Sequence, residues 1–357
     1  MSVLTRRTAL ALAAASFAAG ARAQGRGAAT TDGDRAVWYA FRDRFLASEG
    51  RVVDTGNQGV SHTEGQGWGM LFALAADDRG SFDRMLDWSR RVLRRRGDQL
   101  FSWRFKPQGG GVVDDPNNAT DGDLCIAWAL LQAGERWGNA EHTQQAHAMG
   151  RDILRLLVRR VGRQTVLLPG ARGFDKAESV IVNPSYLVFP AIRALALALP
   201  DPAWLRVAAD CIVLMRRASF GRWGLPPDWV EVQRADGRLS LPGNWQPRFS
   251  YDAVRVPLYL AWSGLVTEPG YQNAARFWTD PSHRQLPAWT DLTSNSLSPY
   301  AANPGIAAVA RLVTRRGGGE EIVRTSTGRG LEGQDYYSAA LTMLVRLAAR
   351  DSIIQSS

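Results

Sequence analysis

Cysteine, histidine and lysine are all scarce in this chain of 357 residues. Cys125 and Cys211 are its only cysteines, too few for a disulfide-stapled scaffold. Each lies in an apolar helical pattern, where a bridge between them and two buried free thiols are both open, because sequence does not give their separation. His62, His142, His147 and His283 are dispersed, which removes the clustering a protein-held metal needs; no metal and no cofactor are expected. Lysine occurs only at Lys106 and Lys176, so the net charge of +9 is carried almost wholly by arginine. Those arginines are interspersed with acids and form no basic stripe beside a reading motif, which argues against a nucleic-acid partner. No stretch reaches the roughly 20 apolar residues of a membrane-spanning helix, so no stable membrane insertion is expected.

What is present is ordinary globular composition, 45% hydrophobic and 22% charged, enough to bury one large core or two modest ones. Thr5-Arg6-Arg7-Thr8-Ala9-Leu10, an alanine-rich stretch, and Ala21-Arg22-Ala23 before Gln24 have the order of an export signal with a small-x-small cleavage site. The paired arginines resemble a twin-arginine signal, with Ala9 where that signal usually carries a bulkier residue. The expected organisation is a signal peptide over 1–23, a flexible segment over 24–32, one folded domain over 33–349 and a tail over 350–357, in a periplasmic or secreted protein.

Apolar residues recurring at 3.6 spacing predict helices over 33–48, 66–76, 80–96, 121–136, 141–160, 184–199, 201–218, 252–264, 270–278, 303–315 and 335–349. A twelfth is inferred within the glycine-rich stretch 316–334. Strand signals are few: 229–233 and 238–241 around Asp236-Gly237 predict one hairpin, an insertion rather than a core sheet.

The order of these helices carries more than their number. Glu64, Asp121, Asn183-Pro184-Ser185-Tyr186, Asp252 and Asn303-Pro304 fall at the starts of the second, fourth, sixth, eighth and tenth. Short connections make consecutive helices antiparallel neighbours, so the even helices run parallel and gather these polar starts at one end. An alternating inner and outer ring of about twelve helices satisfies the pattern. The loops 97–120, 161–183 and 219–251 enter the same end.

A lone acid at a helix start is most simply an N-cap; Asp123, inside the first turn, is as readily structural as catalytic, and Arg255 could equally be a structural ion-pair partner. The surrounding motifs change the reading for Glu64, Asp121 and Asp252. Thr63-Glu64-Gly65-Gln66-Gly67-Trp68-Gly69-Met70 and Ala119-Thr120-Asp121-Gly122-Asp123, followed by Ile126-Ala127, Ala129, Ala133 and Trp137, resemble the signatures of glycoside hydrolase family 8. Arg51-Val52-Val53-Asp54, Asn183-Pro184-Ser185-Tyr186, Pro227-Asp228-Trp229 and Ser250-Tyr251-Asp252-Ala253-Val254-Arg255-Val256 are similar to its branch of periplasmic endo-1,4-β-glucanases associated with bacterial cellulose synthase. Thr63 and Trp68 stand where that branch usually has serine and tyrosine.

The resemblance implies an all-α (α/α)6 barrel, open at one end as a substrate cleft, with a small β-hairpin insertion. It implies endo-acting hydrolysis of β-1,4-glucan with inversion, a β-1,4-glucan chain as ligand, and a functional association with a cellulose synthase or export complex. Glu64 is then the general acid, Asp252 the general base, and Asp121 the residue that holds the distorted sugar. Such chemistry needs one protonated and one ionised carboxyl, about 6.5–9.5 Å apart if water is to fit between them. Asp121 is expected to keep Glu64 protonated, against the pull of a helix N-terminus toward the ionised form. Arg255 would orient Asp252, and Tyr186 would touch sugar or water. Trp103, Trp223, Trp229 and Trp245, in loops at the cleft end, offer indole faces on which glucose rings stack, two of the four being expected to serve; Trp68 is close enough to Glu64 to be a cleft or a core residue. Other family 8 substrates, namely chitosan, mixed-linkage glucan or xylan, and a glucan-binding accessory role in cellulose export, are the alternatives.

Overall fold

The computed structural model of the protein describes residues 30–314, 319–325 and 328–356; the export signal expected over 1–23 lies outside them. Twelve α-helices occur among the described residues: α1 (Asp32–Phe45), α2 (Thr63–Ala75), α3 (Arg79–Val92), α4 (Thr120–Trp137), α5 (Ala140–Leu157), α6 (Phe189–Ala198), α7 (Pro202–Arg217), α8 (Arg255–Trp262), α9 (Pro269–Thr279), α10 (Pro304–Val313), α11 (Gly319–Thr325) and α12 (Tyr336–Ser356).

The even-numbered helices close an inner ring, α2 packing on α4, α4 on α6, and so on through α8, α10 and α12, which returns to α2. Their sequences suit that place. α2 is apolar nearly all round and buries Thr63 and every residue from Gly65 to Leu74, as a helix enclosed on all sides must. The outer α3 instead buries Ser81, Phe82, Met85, Leu86, Trp88 and Ser89, a single stripe. Glycine permits the closest approach in the ring: a Cβ on Gly67 would lie 2.6 Å from Cys125 Cβ, and one on Gly122 would lie 2.2 Å from Thr63 Oγ1. Buried apolar side chains of both rings form one connected cluster. Cys125 and Cys211 are both buried and free.

Short strands decorate the cleft end. β1 (Ser61–His62) pairs with β2 (Arg104–Phe105), β3 (Val158–Val161) with β4 (Gln164–Leu167), β5 (Ser179–Val182) with β6 (Val230–Gln233), β6 with β7 (Leu239–Ser240), and β8 (Arg248–Phe249) with β9 (Thr290–Asp291), every pair antiparallel. The expected hairpin is β6–β7, but β5 makes it a three-stranded sheet. The helix expected over 141–160 ends at Leu157, where β-branched Val158, Val161 and Val166 and the left-handed Gly162 (φ 57°) favour a hairpin. Helix 184–199 begins only at Phe189, after a 3-10 turn at Pro184–Tyr186 capped by Asn183. The helix expected over 252–264 begins at Arg255, leaving Asp252 in the preceding turn. At the chain ends, Thr31 caps α1 and α12 continues through Ser356, so parts of the expected flexible segment and tail are helical.

Candidate active site

Three inner-ring starts converge at the open end. Glu64 stands in the first turn of α2, where His62 Nδ1 accepts from Gly65 N–H at 3.0 Å and the Thr63 N–H donates to Trp103 O at 3.0 Å. Asp121 stands in the first turn of α4, anchored by Thr120 Oγ1 donating to Leu168 O at 2.6 Å. Asp252 occupies the turn just before α8.

Arg255, the first residue of α8, ties them together. Its Nη2 lies 3.0 Å from Glu64 Oε1, 3.2 Å from Asp252 Oδ1 and 3.7 Å from Asp121 Oδ2. It also donates to Ser185 Oγ at 2.9 Å; Ser185 Oγ donates to Asn183 Oδ1 at 2.8 Å, and Asn183 Nδ2 donates to Asp252 Oδ2 at 3.2 Å. Access divides the acids: the side chains of Asp121 and Arg255 are each 4% exposed, whereas Glu64 keeps 16% and Asp252 33%. The two acids able to meet a ligand are therefore Glu64 and Asp252, with Asp121 beneath them.

Burial, then the neighbouring Glu64 carboxylate, pushes Asp121 well above the usual carboxylate range, and its carboxyl is hydrogen-bonded to Glu64. The upward shift falls on Asp121, the more deeply buried of the two. Asp252 is also raised, by burial first, opposed by Arg255 and reinforced by Glu64. Burial alone would pull Arg255 down, but Glu64 and Asp252 together outweigh it and keep the guanidinium charged. Because Glu64 Oε1 and Asp252 Oδ1 share one nitrogen, those two inner oxygens stand within about 6 Å of each other, while Asp252 Oδ2 turns to Asn183 instead.

The aromatic residues sort by position. Trp68 is core: it is 1% exposed, and Arg255 Cζ sits 5.6 Å from its ring centroid, because this turn of α2 faces α4 and the ring interior. Trp103 is half-buried next to Glu64 through the backbone bond to Thr63, its Nε1 donating to Asp115 Oδ2 at 2.8 Å. Tyr186 neighbours all three acids, and burial, then Asp121, Asp252 and Glu64, raises its phenol well above the ordinary value. Trp229 packs 6.1 Å from Tyr186, stacked with Trp245 at 5.0 Å and with Phe174 at 5.8 Å. Trp223 does not join them: its Nε1 donates to Asp280 Oδ2, Phe277 and His283 lie edge-on to it, and Arg222 covers it at 3.8 Å.

Further cleft residues were not among the sequence candidates. Tyr337, in the first turn of α12, is raised well above the ordinary value by burial and then by Asp252, Glu64 and Asp228, against the opposing pull of Arg255, and its hydroxyl donates to Tyr251 O. Tyr251 and Tyr300 pair through their hydroxyls at 3.2 Å, and Trp289 Nε1 donates to Tyr300 at 2.9 Å. The alternation that marked the other inner helices was a usable signal for Tyr337, since α12 is the sixth. Asp123, left open between two roles, is structural: fully buried, it accepts from Phe101 N–H at 3.0 Å and Asn118 Nδ2 at 2.8 Å.

The sequence matches the family of glycosyl hydrolases family 8 over residues 1–351. It is 46% identical over 318 residues to a probable endoglucanase of Novacetimonas hansenii, covering 89% of this chain and 91% of that protein. It is 38% identical to an endoglucanase of Cellulomonas uda, covering 77% and 76%. The solved endo-β-1,4-glucanase CMCax of Acetobacter xylinum superposes with a TM-score of 0.84 at 45% identity, over 91% of this chain and 99% of that one.

Proposed function

Because the chain belongs to glycosyl hydrolase family 8, we propose that it is an endo-acting β-1,4-glucanase that cleaves its substrate with inversion. The observation that carries this reading is the gathering of Glu64, Asp121 and Asp252 on one guanidinium nitrogen, with Glu64 and Asp252 the accessible pair. The endoglucanase relatives support the substrate class.

Glu64 is the general acid. It gives a proton to the glycosidic oxygen as the bond from that oxygen to the anomeric carbon breaks. Asp252 is the general base: it takes a proton from a water whose oxygen bonds to the opposite face of the anomeric carbon, so the product is inverted. Its Oδ2, held by Asn183 rather than by Arg255, is the oxygen left to receive that water. Arg255 offsets the negative charge that collects on Glu64 as its proton leaves. Asp121 forms the cleft floor, with only its edge open to the distorted sugar. Trp103 on the Glu64 side and Tyr186, Trp229 and Trp245 on the other are the platforms for neighbouring sugars.

The test is proton NMR of cellopentaose in the first minutes of hydrolysis. Early α-anomer supports inversion by this pair; early β-anomer overturns the role of Asp252; no cleavage moves the substrate to another polysaccharide.

Export through the leader over 1–23, residence in the periplasm or outside the cell, and service to a cellulose synthase or export complex complete the proposal. The likeness to the endo-β-1,4-glucanase of Acetobacter xylinum and the probable endoglucanase of Novacetimonas hansenii supports that setting, and no helix among the described residues is long and apolar enough to cross a membrane. Complementation with Glu64→Gln in cells lacking the protein tests it: rescue of cellulose output by the mutant would make hydrolysis incidental and leave a glucan-binding accessory role.

A further inference from the structure

Asp228 closes the turn that carries Asp252. It is 7% exposed and directly precedes Trp229 and β6. Its Oδ1 accepts two backbone N–H groups, from Ser250 at 3.0 Å and Ala253 at 2.8 Å, and its Oδ2 accepts from Ser250 Oγ. Its own N–H donates to Arg248 O at 2.7 Å. These partners lie on both sides of Asp252 in sequence, in a stretch where α8 has not yet begun. One carboxylate therefore satisfies donors that the helix does not, and Asp252 cannot shift without breaking one of these bonds.

We propose that Asp228 is a positioning residue for the cleavage step: by clamping the Ser250–Ala253 turn it sets where the Asp252 carboxylate stands in the cleft. This rests on the reading of Asp252 as the base. The clamp works through the reach of one acceptor oxygen to both backbone N–H groups and of a second polar atom to Ser250 Oγ, not through charge. Asparagine retains it, because amide Oδ1 still accepts both N–H groups while Nδ2 donates to Ser250 Oγ. Glutamate keeps the charge but carries the acceptors one methylene further and moves the turn. Asp228 also adjoins Trp229, so the same clamp ties the aromatic platform to the base.

The experiment measures kcat, KM and thermal melting on cellopentaose for Asp228→Asn, Asp228→Glu and Asp252→Asn. A displacement near 1 Å of a reacting group costs about 100-fold, so Asp228→Glu is expected to lose about that factor in kcat with KM within about twofold of wild type. Asp228→Asn should restore kcat to within about threefold. Wild-type kcat in Asp228→Glu, or a loss in Asp228→Asn as deep as in Asp228→Glu, overturns the proposal. Should Asp228→Glu fail to fold, Asp228→Ser, too short to span both amides, takes its place with the same expectation. Asp252→Asn separates the two claims: if it stays active the base assignment fails, whereas if it is inactive while Asp228→Glu is fully active only the clamp fails.

Discussion

Arg255 reaches Glu64, on α2, and Asp252, ahead of its own helix, through a single nitrogen at 3.0 and 3.2 Å. Two acids that would otherwise repel across the cleft are held by one buried cation. Lysine supplies the charge without the planar fork, so Arg255→Lys should lose about 100-fold in kcat through misplacement of both acids. Arg255→Met should also destabilise the fold by about 3–5 kcal/mol, since it leaves buried carboxylates uncompensated. Denaturant melting and steady-state kinetics check both; an active, stable Arg255→Met would refute the account.

Glu64→Gln separates activity from stability. It removes the group that delivers the proton and should cost about 10²–10⁴-fold in kcat, while relieving repulsion with Asp121 and Asp252, so the melting temperature should hold or rise. A variant that is both active and less stable would show Glu64 to be structural.

Gly122→Ala tests the close approach of α2 and α4. The added Cβ would lie 2.2 Å from Thr63 Oγ1 and 2.7 Å from Glu64 N, so the two helix starts must separate. Overpacking of this kind costs about 1–3 kcal/mol, and activity should fall with stability because the displaced residue adjoins Glu64. Unchanged melting and turnover would mean that the helix starts can part without consequence.

Asp123 is pushed from 3.8 to about 7 by burial, against its hydrogen bonds from Phe101 and Asn118. Between those values the folded protein binds a proton that the unfolded chain releases, so this contribution is full below the unfolded value and is lost as pH rises to about 7. Asp228, also raised to about 7, acts in the same direction. Asp123→Asn should therefore gain in melting temperature relative to wild type between pH 5 and about 8, by a few degrees. A constant difference across that range would contradict the buried-acid explanation.

Trp229→Ala should raise KM for cellopentaose by about 3–10-fold, the worth of one aromatic platform. Trp223→Ala should leave KM unchanged and lower the melting temperature, since that indole is engaged by Asp280, Phe277, His283 and Arg222. Reversal of the two effects would exchange their assignments.

The helical period, the polar starts at every second helix and the boxes around Glu64, Asp121 and Asp252 were legible in the chain, because apolar spacing and N-terminal polarity are local properties. From them the double ring and the shared end of its acids followed. Trp68 was ambiguous because a helix turn beside a catalytic residue can face either the cleft or the neighbouring helix, and only the packing of α2 on α4 selects the second. Trp223 shared a loop with Trp229 but turned to Asp280. The clamp from Asp228 to the turn of Asp252, the joining of β5 to β6, and the placing of the upward shift on Asp121 depend on groups distant in the chain. Such relations are set by which surfaces the closed ring buries together, and no periodicity records them.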